Sequence, residues 1–86
     1  MYLHTKKEFK KLKLGERYTA LQKNGEYIGA ILTNSHRRYL YSYNGFFVEL
    51  WILVSFNQVQ WIEVQENQDI LNEYVKDINV KNYFDI

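Results

Sequence analysis

The sequence predicts a small α+β domain: a short helix, a five-stranded antiparallel meander that curls or closes into a small barrel, and a second helix. Three observations carry this. The run from Phe46 to Phe56, read as a strand, sends Phe46, Val48, Leu50, Ile52, Val54 and Phe56 to one face. Phe47, Trp51 and Leu53 go to the other, so both faces need cover. Asn24-Gly25 and Asn44-Gly45 each lie between apolar runs and are the favoured pair for a type I′ hairpin turn. No connection between strands is long enough for a crossover, which leaves antiparallel pairing between neighbours.

The elements follow in order. Thr5-Lys6-Lys7-Glu8 has capping-box spacing and predicts a helix over about 6–12, with Phe9 and Leu12 on its buried side. The strands are expected over about 16–23, 26–33, 37–43, 46–56 and 59–65, with turns at Asn24-Gly25, at the polar break Asn34-Ser35-His36, at Asn44-Gly45 and at Asn57-Gln58. If the turns are two-residue loops, Tyr43 faces Phe46, Tyr41 faces Val48, Tyr39 faces Leu50, Phe56 faces Val59 and Val54 faces Trp61. The first hairpin sets Leu21 against Ile28. The polar break sets Leu32 against Tyr39 and Ala30 against Tyr41. These pairs share one face, face A. It gathers Leu21, Ile28, Ala30, Leu32, the tyrosines 39, 41 and 43, the even positions of 46–56, Val59 and Trp61. The opposite face B holds Tyr18, Tyr27, Ile31, Leu40, Phe47, Trp51, Leu53, Ile62 and Val64, diluted by Arg38, Glu49 and Gln60. Asn67 is an N-cap candidate for a helix over about 68–78, whose stripe Ile70, Leu71, Tyr74, Val75 and Ile78 is expected to lie on face A. Tyr83, Phe84 and Ile86 argue that the tail packs. Face B is then left with little cover.

Length and composition bound the rest. The chain has 86 residues, room for one core and one domain spanning 1–86. It has no cysteine, so aromatic side chains (17% of residues) must supply burial that a disulfide-stapled domain would not need. Missing cysteine, no signal-like order of charge and apolar core at the N-terminus, and no run long enough to span a bilayer as a helix make a soluble cytoplasmic protein without membrane contact the expectation. The net charge of +1 conceals a gradient: seven bases to three acids in residues 1–26, and seven acids to two lysines from Glu49 onward.

Motifs for chemistry are sparse. His4 and His36 are not in ligand-spaced clusters, the glycines form no phosphate loop, and Ser35, Ser42 and Ser55 have no nucleophile elbow. No catalytic residue, cofactor or metal is expected. Glu49 is the one acid within an apolar run. It should face Leu40, lie diagonal to Arg38 and have Glu66 near its other side. It reads either as a rim ion pair or as a carboxylate with raised pKa in a shallow site. Arg38 opposite Trp51 can stack as a cation–π pair.

At the level of fold alone, five short strands in a meander are similar to SH3-like barrels, which implies no function. The leading expectation is a non-enzymatic domain working by protein–protein contact, with a protein partner or a second copy as a homodimer. Its contact surface would be the under-covered face: Arg38, Leu40, Phe47, Glu49, Trp51, Leu53, Ile62 and Val64. The alternative is a single-stranded nucleic-acid binder in which Lys6, Lys7, Lys10, Lys11, Arg37 and Arg38 meet phosphates while Tyr39, Tyr41 and Tyr43 stack bases. The competing account of those tyrosines is that they are core. An enzyme is the third class.

Overall fold

The computed structural model describes residues 3–75. It is α+β with helices at both ends of an antiparallel sheet, but the sheet has four strands and is open. Two helices come first, α1 (Lys6–Lys11) and α2 (Leu14–Asn24). The strands follow as β1 (Glu26–Leu32), β2 (His36–Tyr43), β3 (Phe46–Leu53) and β4 (Gln58–Val64), in spatial order β1-β2-β3-β4. A third helix, α3, occupies 68–75. The strands β1 and β4 are both edges, so no barrel closes. The expected continuation of the helix to 78 and the packing of the tail lie outside the described residues.

The capping box of α1 forms as expected: the Glu8 amide donates to Thr5 Oγ1 at 3.1 Å and the Thr5 amide donates to Glu8 Oε1 at 2.9 Å. The segment expected as the first strand is instead α2. Leu14, Tyr18 and Leu21 recur at helical spacing, and Glu16 reaches back to accept the Lys13 amide at 2.9 Å. Tyr18 and Thr19 have strand preference, but burial of Ala20 and Leu21 against the sheet overrides it. Asn24-Gly25 is therefore a helix end and no hairpin. Gly25 has φ −80° and its amide donates to the Leu21 carbonyl at 2.8 Å. Glycine suits the place for another reason: a Cβ there would sit 2.7 Å from the Leu21 carbonyl oxygen.

The β2–β3 hairpin has the expected register. Asn44 and Gly45 both have positive φ (47° and 86°), as a type I′ turn requires, and Tyr43, Tyr41 and Tyr39 oppose Phe46, Val48 and Leu50. The outer strands depart from expectation. The segment 46–56 leaves the sheet after Leu53. Residues 54–57 form a longer turn with Asn57 at φ 49°, in place of the two-residue loop expected at Asn57-Gln58. Ile52 then opposes Val59 while Trp51 opposes Trp61, so Gln60 bulges. One extra residue exchanges the faces of everything beyond it: Trp61 joins face B, and Ile62 and Val64 join face A. A second bulge, at Ile28, brings Tyr27 onto face A opposite Tyr41 and turns Ile28 to face B. Ala30 opposes Tyr39 and Leu32 opposes Arg37, two residues from the expected pairing.

Each face has its own helical cover, and α3 lies on face B where face A is expected. The helices α1 and α2 lie on face A, where Phe9, Ala20 and Leu21 pack with Tyr43, Phe46, Val48, Leu50 and Ile62 in the main core. Arg17 clamps this arrangement, donating to the carbonyls of Leu12 (3.1 Å), Lys10 (2.8 Å) and Ile62 (2.5 Å). One guanidinium thus joins the α1–α2 corner to β4. On face B, α3 sets Leu71 and Tyr74 against Leu40, with Ile28, Ile31 and Ile70 around them.

Candidate interaction surface

The eight residues expected to form one contact surface fall into three groups. Ile62 and Val64 are on face A, and Ile62 is in the main core, because of the Gln60 bulge. Leu40 and Glu49 are on face B but buried beneath α3. Arg38, Trp51, Leu53 and Phe47 remain on face B with partial exposure.

The charged centre of face B is a buried knot. Glu49 is 4% exposed. It accepts from Arg38 Nη2 at 3.0 Å, from Gln65 Nε2 at 2.6 Å and from the Tyr74 hydroxyl at 2.6 Å. Burial pushes its carboxyl up, but the hydrogen bonds from Tyr74, Gln65 and Arg38 outweigh burial and hold it below the ordinary carboxylate range. This overturns the raised-pKa reading. The same burial, with the adjacent carboxylate, pushes the Tyr74 hydroxyl well above its ordinary value, so it stays protonated and donates. The Arg38 guanidinium carbon sits over Trp51, 4.6 Å from the ring centroid, as the register predicts, and also 5.7 Å from the centroid of the Tyr74 ring. Glu63 stands opposite Glu49 on β4; Glu66 instead pairs with Lys6 at 2.5 Å and reaches Lys10 at 4.0 Å. The role of Glu49 is thus to dock α3, through Tyr74, onto β2 and β3.

Beyond Arg38, face B ends in an aromatic platform. Trp51 and Trp61 are cross-strand partners with ring centroids 4.8 Å apart, and His36 packs edge-on to Trp51 at 5.2 Å and beside Trp61 at 5.9 Å. The His36 ring is oriented by Ser35 Oγ at 2.8 Å and by Gln60 Oε1. Leu53 pairs with His36 and adds an aliphatic edge. At this same end of the sheet the 33–35 and 54–57 connections meet, through the Val54 amide on the Ser35 carbonyl at 2.9 Å and Arg37 on Asn57 Oδ1. Phe56 stands at the tip of the second connection, 73% exposed, with Val54 also exposed. Trp61, expected on face A, is on face B, and His36, expected in the polar break at 34–36, is the first residue of β2.

The cations of the alternative reading do not converge. Lys6, Lys7, Lys10 and Lys11 are exposed on α1, over face A. Arg37 also belongs to face A, whereas Arg38 is on face B and engaged with Glu49. The tyrosine ladder is on face A. Tyr43 is buried, with its hydroxyl bonded to the His4 amide at 3.1 Å and to His4 Nδ1 at 3.0 Å. Tyr39 and Tyr41 are half-buried against Tyr27 at 6.2 and 6.0 Å.

Among the described residues no group of His, Cys, Asp or Glu could hold a metal ion, and no helix is long and apolar enough to cross a membrane. No family model, curated protein or solved structure matches this chain.

Proposed function

We propose that this chain is a non-enzymatic contact module whose working surface is the end of face B bearing Trp51, Trp61, His36 and Leu53, extended by Val54 and Phe56. The observation that carries the reading is the coincidence, at one end of the sheet, of a close tryptophan pair with a Phe56 that is 73% exposed. Tryptophan and other aromatics concentrate binding energy at protein–protein interfaces, because each removes a large area from water at small entropic cost. A rim of Ser35, Asn57, Gln58 and Gln60 supplies polar partners around the apolar centre. The charged pair of face B, Glu49 and Arg38, is committed to docking α3, which supports contact over catalysis.

The test is site-specific photocrosslinking in the native cell. A benzophenone amino acid at Gln58 is expected to trap one defined protein. Phe56→Ser, which removes an exposed ring and so leaves the fold intact, is expected to abolish the adduct. The same probe at Lys11, on the far face, should trap nothing in common. An adduct indifferent to Phe56→Ser, or none above the Lys11 control, overturns the reading.

A further inference from the structure

The strand β1 presents a second and separate surface. It pairs only with β2, so alternate amides and carbonyls along its outer edge point away from the sheet, and none has a backbone partner among the described residues. Soluble proteins guard such edges with charge, proline or a covering element. The other edge, β4, has Glu63 on it and α1 and α2 packed against it. From Tyr27 to Leu32, β1 has no charge and no proline. It also holds two large apolar side chains that remain mostly in solvent: Tyr27, although it touches Tyr39 and Tyr41, is 59% exposed, and Leu32 is 71% exposed.

We propose that the edge of β1 pairs antiparallel with β1 of a second copy, making one continuous eight-stranded sheet across a twofold axis. Among twofold registers that keep like faces together, the one centred on Ile31 sets the most exposed apolar side chain of the strand, Leu32, against a small partner, Ala30. Past the Ile28 bulge, the regular stretch puts Ala30 and Leu32 on face A and Gly29 and Ile31 on face B. With Ile31 on the axis, Ile31 meets Ile31 of the second copy, and Ala30 meets Leu32 twice, once on each side. Every pair then shares a face, and no charge meets a like charge. Registers that shift by one residue would put face-A side chains against face-B ones. Ala30 leaves room for the leucine across from it, which gives Leu32 the cover it lacks among the described residues. This pairing is independent of the Trp51–Phe56 surface and stands whether or not that surface has a partner.

Sedimentation equilibrium on the full chain tests it. The wild type is expected to dimerise. Leu32→Lys, a surface change that sets two cations near the axis, is expected to raise the dissociation constant at least about tenfold, whereas Phe56→Ser leaves it unchanged. The chain has no native cysteine, so Ile31→Cys gives one sulfur per protomer. Directly opposed strand residues have Cα atoms about 4.5–5.5 Å apart, within disulfide range, so mild oxidation should yield a covalent dimer. A monomer at every concentration up to about 1 mM, a dimer that Leu32→Lys does not weaken, or one that Phe56→Ser weakens equally, overturns the proposal.

Discussion

Replacing Glu49 by alanine should be among the most damaging single changes available to this chain. The carboxylate is buried and accepts three hydrogen bonds, one from a guanidinium whose side chain is itself largely out of water. Removing it leaves the Arg38 charge, the Tyr74 hydroxyl and the Gln65 amide facing a gap. Breaking a buried ion pair from one side costs about 3–5 kcal/mol. A domain of this size has a total stability of roughly 4–13 kcal/mol, at about 0.05–0.15 kcal/mol per residue. The single change therefore consumes a large share of it. In urea, with an m-value of roughly 1.5 kcal/mol/M, the midpoint should fall by about 2–3 M. Tyr74→Phe keeps the ring over Leu40 and removes one hydrogen bond to a charge, so it should cost about 1.5–3 kcal/mol. The double variant Arg38→Met, Glu49→Leu supplies the decisive comparison. It removes both charges and fills the space, and should recover most of the loss, because the penalty in Glu49→Ala is chiefly the stranded cation. Tryptophan fluorescence reports the transition, since Arg38 rests on Trp51. A Glu49→Ala loss below about 1 kcal/mol, or a double variant no better than the single one, refutes the account of Glu49 as the buried tie between sheet and α3.

Two further outcomes follow from the same fold. The Glu49 carboxyl is held below its ordinary range in the folded chain, so its contribution to stability is fully present above the unfolded carboxyl value, about 4.3, and is lost as pH falls through the folded value. Urea unfolding of the wild type and Glu49→Gln from pH 7 to pH 3 should therefore show the difference between them shrinking only at the acid end; a difference constant with pH contradicts the assignment. Two glycines should respond to alanine with opposite signs in thermal unfolding. Gly45→Ala forces a side chain onto φ +86° and should destabilise by about 1 kcal/mol, while Gly15→Ala, in α2 with open space where its Cβ would project, should stabilise by roughly 0.5–1 kcal/mol.

Local chemistry made parts of this molecule legible in the sequence. The α1 capping box needs only residues three apart, and the β2–β3 register needs only Asn44-Gly45 and the alternation beside it. From that register came Leu40 opposite Glu49, the Arg38–Glu49 pair and the stacking of Arg38 on Trp51. Leu21 belongs to the face-A core, as the alternation predicts, although its segment is a helix and not a strand. Where the reading failed, the deciding interactions were distant. Leu14 to Asn24 has mixed preferences, and it is helical because Ala20 and Leu21 find the sheet. The bulge at Gln60 leaves no local signature and the one at Ile28 only the adjacent Gly29, yet each exchanges the faces of its neighbours; that is how Trp61 comes to stand beside Trp51. The assignment of helices to faces also lay beyond any stripe count. Both faces of Phe46 to Leu53 demanded cover, as the pattern required. Which helix answered was settled by Tyr74 reaching Glu49 on one side and by Arg17 and Phe9 closing over the other.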